Sequence, residues 1–227
     1  MQDQLSHLLR LAVEDVIQTG EPVGSQRIVE TSDLGVSSAT IRNWFAELEE
    51  LGYLIQPHTS SGRIPTEKGY RMYVEELMER KTLPKKDRAE LEKAISSTYD
   101  QESRMKVMGK KVSELAGNAV VLGLHDADTF YTGLSQLFAQ PEFKDWNRVV
   151  DIGEVLDRLD DVLANIRRET YPIPTALFGK HCPFGSACGS ILLSVDDAIF
   201  GILGPIRMDY QHGFALLGAI KELTRTT

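Results

Sequence analysis

The sequence predicts an α+β chain: an N-terminal winged helix-turn-helix, a long connecting helix and a small mixed helix-and-strand domain. Three observations carry this. Three amphipathic helical segments run up to Leu51 and give way to two short extended pieces around a Ser- and Gly-containing tip. The charged, proline-containing stretch "KTLPKKD" then opens a long polar segment with a single apolar stripe. Beyond residue 117, short apolar runs bounded by Gly, Pro and Asp alternate with segments of helical spacing. The boundaries expected from these shifts are 1–80, 81–117 and 118–227.

At 227 residues and 42% hydrophobic, the chain is long enough to bury one large core or two small ones. Its formal net charge of −8 argues against indiscriminate coating of nucleic acid or anionic membrane, and leaves room for a local basic patch. No apolar run approaches the roughly 20 residues that span a bilayer, and "MQDQLSHLLR" lacks the apolar core of a signal peptide. The expectation is a soluble, cytoplasmic protein with no membrane partner. Cys182 and Cys188 are too few to staple a chain of this size, so free thiols are expected.

Leu5, Leu8, Leu9, Ala12, Val13, Val16 and Ile17 recur at helical spacing and stop at Gly20, with Pro22 just beyond. "SQRIVETS" reads as a short second helix capped by Ser25, and "DLGV" as a turn before a third helix capped by Ser37. "GYLIQ" and the pieces flanking "PHTSSGRIP" read as a two-stranded wing, and "TEKGYRMYVEELMER" as a fourth helix. Residues 85–117 read as one continuous helix whose stripe is Leu91, Ile95, Tyr99, Met105, Met108, Val112 and Leu115, either core against the second domain or a surface for a second subunit, the latter suiting the two-fold symmetry of an inverted repeat. At about 1.5 Å per residue it would reach about 45 Å. "AVVLGL" reads as a buried strand and "DTFYTGLSQLFAQ" as a helix. "PEFKDWNRVVDIGEVLDRLDDVLANI" reads as a second helix begun by Pro141, with Phe143, Trp146, Val150, Leu156, Leu159, Leu163 and Ile166 inward. "PIPTALFG", "GSILLSV" and "AIFGILGP" read as strands, the last two joined by a tight turn at Asp196 and Asp197, before a final helix after "RMDY".

The third helix carries the functional signal. Wound at 100° per residue from Ser38 to Leu51, it brings Ile41, Phe45 and Leu48 together, with Trp44 and Leu51 on their flank. Ala39, Arg42, Asn43 and Ala46 fall opposite, while Glu47, Glu49 and Glu50 gather at the C-terminal end. A recognition helix enters the major groove N-terminus first. There Arg pairs with guanine, Asn with adenine, and Ala touches the thymine methyl. Ser25, Ser37, Ser38 and Thr40 supply hydroxyls and helix N-termini suited to phosphate oxygens, and the wing adds His58, Thr59, Ser60, Ser61 and Arg63. On an arbitrary amphipathic helix Arg42 and Asn43 would be ordinary solvated residues; this neighbourhood points instead to double-stranded DNA.

"GEPVGSQRIVE", "VSSATIRNWFAELEELGYLIQPHTSSGRIPTEKGYRMYVEEL", "GLSQLFAQPEFKD" and "GILGPIRMDY" resemble the bacterial heat-inducible transcription repressor family HrcA. The resemblance covers the winged block nearly without a gap and continues in islands. It implies a homodimeric repressor that binds an inverted-repeat operator upstream of chaperone operons and is kept active by the chaperonin. It also implies a C-terminal GAF-like domain with an inserted dimerisation segment. Trp44 and Phe45 stand where the family usually has an acidic residue and a methionine. Between "NAVVLGL" and "DTFYTGLSQ" only "HDA" replaces a long family stretch, so the GAF-like domain is expected to be reduced.

Two other constellations compete. "HCPFGSAC" places His181, Cys182 and Cys188 close together, but the spacing fits no common zinc pattern and lacks a fourth ligand, and adjacent side chains on an extended segment point apart. In "GPIRMDY", Arg207 is a candidate anion clamp, or Gly204 and Pro205 simply turn a strand into a helix. No phosphate-binding glycine fingerprint is present. The expected function is therefore a non-enzymatic DNA-binding repressor without cofactor or metal. A winged-helix regulator whose C-terminal domain senses a small molecule, and a thiol or metal enzyme at His181–Cys188, are the alternatives.

Overall fold

The computed structural model describes residues 3–59, 61–96, 100–124, 128–186 and 188–225. The chain divides into two units, Met1–Glu79 and Arg80–Thr227.

In the first unit, α1 (Asp3–Thr19) buries Leu5, Leu8, Leu9, Ala12, Val13 and Val16 along one stripe. It stops where Gly20 turns to φ 72° and donates to the Val16 carbonyl. α2 (Ser25–Thr31) buries Ile28, and α3 (Ser38–Glu50) buries Ile41, Phe45 and Leu48. β1 (Leu54–Ile55) pairs antiparallel with β2 (Ile64–Pro65), and an isolated bridge joins Val23 to Arg63. α4 (Glu67–Met72) is capped by Thr66 and widens into a single π-helical turn, Tyr73–Leu77, with Tyr70, Tyr73 and Val74 buried. Two expectations are corrected. The N-cap of α2 is Gly24, with Ser25 already inside the helix. Leu51, expected on the inward flank, is 43% exposed because α3 ends one residue earlier, at Glu50.

The second unit holds one five-stranded antiparallel sheet. Its strands are β3 (Ala119–Gly123), β4 (Thr129–Thr132), β5 (Thr175–Phe178), β6 (Cys188–Val195) and β7 (Ala198–Pro205), in the order β4-β3-β7-β6-β5. α5 (Lys85–Ile95) packs on α6 (Gln101–Ala116), and α6 packs on the sheet. α10 (Tyr210–Arg225) covers β6 on the same side, where a Cβ on Gly213 would meet Ile191 and Ile202. The opposite face carries Ala119, Val121, Cys188, Leu192, Ile199 and Leu203. It is covered by α7 (Leu134–Phe138), α8 (Trp146–Asp157) and α9 (Leu159–Ile166) through Leu137, Ile152, Leu159, Leu163 and Ile166. With both faces covered, β3 and β7 are buried throughout and β6 at every position but Ser194, instead of alternating.

The continuous connecting helix over 85–117 is not what forms. α5 ends at the cap Ser96, and α6 restarts after Asp100, whose carboxylate accepts from the Ser103 amide at 2.8 Å. Leu91, Met105, Met108 and Val112 are buried inside this unit, with Gly109 closing on Leu122. They therefore line its own core and are not available as a surface for another subunit; Tyr99 lies outside the described residues.

"DTFYT" is the edge strand β4, because Gly133 follows at φ 79°, against the Ser113 hydroxyl and the Asn118 carbonyl, and turns the chain. The expected helix over 141–166 breaks into a 3₁₀ turn (Pro141–Lys144), α8 and α9. Asp145 caps α8, and Arg158 (φ −118°) interrupts it. Trp146, at 73%, and Val150, at 44%, lie on the exposed side of α8, whose buried residue is Ile152.

Arg207 is engaged within the fold. It forms a two-pronged pair with the Glu142 carboxylate and donates to Gln140 Oε1 at 3.0 Å, so it does not stand free as an anion clamp. Asp209 starts α10 by accepting from the His212 amide at 2.9 Å. Cys182 and Cys188 are buried, the former 3.6 Å from Ser190 Oγ, while His181 is exposed. Burial pushes both thiols up, Cys188 to about 12, which keeps them protonated and poorly nucleophilic.

A Cβ at residue 133 would lie 1.9 Å from Ser113 Oγ in a left-handed backbone, so Gly133→Ala should destabilise the second unit by about 1–3 kcal/mol. Gly153→Ala on α8, with open space around it, should stabilise by about 0.5–1 kcal/mol. Denaturant melts of the two variants check both signs. The thiols give a second expectation. At pH below about 9 folded and unfolded chains both hold these protons, so their stabilising effect is complete. As pH rises from there toward about 12, the unfolded thiols ionise first and stability is lost. The denaturation midpoint should fall over that window, and less steeply in Cys188→Ala.

Candidate nucleic-acid interface

The outward face of α3 is built by its own cap. Ser37 adopts extended backbone, its hydroxyl accepts from the Thr40 amide at 3.2 Å, and it lies 3.0 Å from the Thr40 hydroxyl. This starts the helix so that Ile41, Phe45 and Leu48 are driven inward, which leaves Ala39, Arg42, Asn43 and Ala46 exposed. Ser38 and Thr40 are half-buried at its first turn, and so is Trp44 beside Phe45. The side-chain hydroxyls of Ser37 and Thr40 are thus joined to each other at the helix start, one of them already used as a cap.

Ser25 and Arg42 also come together. Nε of Arg42 donates to Ser25 Oγ at 3.3 Å, across from α2 to α3. On the same short helix Arg27 is paired with Asp15, whose carboxylate raises the guanidinium's already high pKa. Glu49, in the acidic C-terminal half of α3, receives Arg63 from the hairpin, with Nε and Nη2 each 2.9 Å from Oε2. The backbone of Arg63 exchanges two hydrogen bonds with Val23, at 2.8 and 2.9 Å. Arg63 is therefore a brace between hairpin, α3 and the α1–α2 connection, and both ends of its side-chain fork rest on one carboxylate.

At the hairpin tip, the Ser61 hydroxyl donates to the His58 carbonyl at 2.7 Å and accepts from the His58 amide at 3.0 Å. Gln56 Nε2 donates to the carbonyls of Thr59 and Ser61, both at 3.0 Å. The turn is thus internally bonded, and the exposed side chains it offers are His58 and Thr59; Ser60 lies outside the described residues. Gly62 sits where a Cβ would be 2.4 Å from the Val23 carbonyl oxygen, so the hairpin lies directly against that backbone.

Of the residues singled out from sequence, Ala39, Arg42 and Asn43 form one exposed helical face, and Ser25 joins it through Arg42. Ser37 and Thr40 stand at its N-terminal edge. Arg63 is held apart from this face by Glu49. Sequence reasoning missed two elements here: Glu49 as the partner of Arg63, and Asp15 as the partner of Arg27. Both pairs join residues 12 or 14 apart in the chain, a separation that no helical or strand period marks. Among the described residues no cluster of three His, Cys, Asp or Glu is placed to hold a metal, and no helix is long and apolar enough to cross a membrane.

Comparison with known proteins adds independent observations. A solved structure described only as a hypothetical protein superposes over 100% of this chain and 98% of its own, with a TM-score of 0.77 at 17% identity, which shows a shared fold. The heat-inducible transcription repressor HrcA of Thermobifida fusca is 50% identical over 100 residues, covering 44% of this chain and 29% of that protein. Its counterpart in Clostridioides difficile is 52% identical over 90 residues (40% and 26%), and that of Bifidobacterium longum 45% over 115 residues (51% and 31%). The chain thus spans about a third or less of the length of the curated relatives it matches. The family model for the HrcA protein C-terminal domain matches residues 70–213, well over half of the sequence, and the chain belongs to the HrcA family.

Proposed function

We propose that the first unit is a winged helix-turn-helix in which α3 reads the major groove of duplex DNA and the hairpin is the wing. The observation that carries this is the exposed face Ala39, Arg42, Asn43 and Ala46, concentrated in the N-terminal part of a helix whose buried side anchors it in the unit. On this reading residues 1–80 bind DNA, 81–117 connect, and 118–227 form a reduced GAF-like domain. The chain acts as a transcriptional repressor, bound as a homodimer to an inverted repeat before heat-shock chaperone operons, with the chaperonin as a further partner. Its place is the cytoplasm and it catalyses no reaction. The relatives' name, heat-inducible transcription repressor, supports the functional class.

The geometry divides the arginines by role. Among the described residues Arg42 is bonded to a hydroxyl and not to a carboxylate, and suits a base edge; Arg63, paired with Glu49, suits a structural brace. Arg42→Ala should cost about 1–3 kcal/mol on a duplex selected by the full chain and blur discrimination at one base pair. Equal loss on scrambled duplex would refute base readout. Arg63→Ala should lower the stability of the first unit by about 0.2–1 kcal/mol and leave the salt dependence of binding unchanged. Glu49→Ala should do the same, with the double variant no worse than either single one. A salt slope reduced by about 1 in Arg63→Ala would instead make it a phosphate contact.

A further inference from the structure

We propose that Ser25 is a positioning residue for base readout: its hydroxyl holds the Nε edge of Arg42 and aims the far end of the guanidinium outward. The inference rests on the reading of α3 as a recognition helix.

Three side-chain contacts set it apart. Arg27 and Arg63 each rest on a carboxylate, Asp15 and Glu49, which cancels much of the charge a DNA contact would use. Arg42 rests on a neutral oxygen, so it is oriented without being neutralised. The Ser25 hydroxyl does not cap α2, which is begun by Gly24 with no side-chain cap. A guanidinium presents donors along two edges, one containing Nε and one made of the two Nη groups. With Nε held at 3.3 Å by Ser25, the Nη1–Nη2 end is the edge left for the paired O6 and N7 acceptors of guanine. Arg side chains lose considerable rotamer freedom when they bind, and a partner that restricts the rotamers beforehand lowers that loss.

The test uses the full chain in fluorescence-anisotropy titrations. The probes are a duplex it selects from a random pool, the single-base-pair variants of that duplex, and a scrambled duplex. Ser25→Ala should weaken binding to the selected duplex by about 3- to 10-fold. The loss should fall on the base pair where Arg42→Ala loses discrimination, and vanish in the Arg42→Ala background. Ser25→Thr, which restores a hydroxyl, should restore affinity, and melting curves confirm that each variant folds. A Ser25→Ala loss that is equal on scrambled duplex and additive with Arg42→Ala would make Ser25 a phosphate contact and overturn the proposal. So would no loss at all on a duplex that Arg42 discriminates, with the reading of α3 left intact. If Arg42→Ala itself leaves discrimination unchanged, that reading falls, and the role of Ser25 with it.

Discussion

Val23 and Arg63 exchange both of their backbone hydrogen bonds, and Gly62 lies against the Val23 carbonyl where no other side chain fits. These contacts tie the hairpin to the connection between α1 and α2, so the hairpin and the helices are braced together. The Arg63 side chain then reaches Glu49 and fixes the C-terminal half of α3 to the same hairpin. At the other end of the hairpin's base, the Thr66 hydroxyl donates to Gly52 at 2.7 Å and accepts from Gly69, while Gly69 approaches the Tyr53 carbonyl. α3 is thereby held at its C-terminal half by the sheet and at its start by Ser37. The exposed face between those points therefore has a fixed direction, as the proposed reading of DNA by α3 would require.

The parts legible in sequence are those set by local periodicity and caps. The inward and outward faces of α3, the stop of α1 at Gly20, the tight turn at Asp196 and the start of α10 at Asp209 all follow from residues within one turn of each other. What misled was tertiary. "DTFYTGLSQLFAQ" reads as one helix, but the chain turns at Gly133 (φ 79°), packed against Ser113 and Asn118, so that β4 precedes it and α7 follows. The apolar stripe over 85–117 is real, but Asp100 and Ser103 cap a new helix inside it, so its two halves fold onto each other. At the candidate interface the exposed residues were legible and their partners were not: Ser25 to Arg42 and Glu49 to Arg63 span 17 and 14 residues.

In the second unit, residues from separate stretches of sequence converge. The Ser113 hydroxyl donates to the Asn118 carbonyl at 2.7 Å, Gln140 donates to Gly117 at 3.1 Å, and Arg207 grips Gln140 and Glu142. Two motifs that look independent in the chain, "GLSQLFAQPEFKD" and "GILGPIRMDY", are therefore one structural feature that joins the helix side of the sheet to the end of β7. Substitution at either should be felt at the other, because removing the Glu142 carboxylate takes the charge partner from a largely buried guanidinium.

The two tryptophans fall one to each unit, and in opposite surroundings. Trp44 is half-buried beside the core of the first unit, whereas Trp146 is largely in water already. Indole emission shifts when a ring passes from an apolar to an aqueous environment, so melting the second unit alters Trp146 little, while melting the first moves Trp44 into solvent. Intrinsic fluorescence is thus a built-in reporter for the unit that carries α3, readable in the full chain without any label.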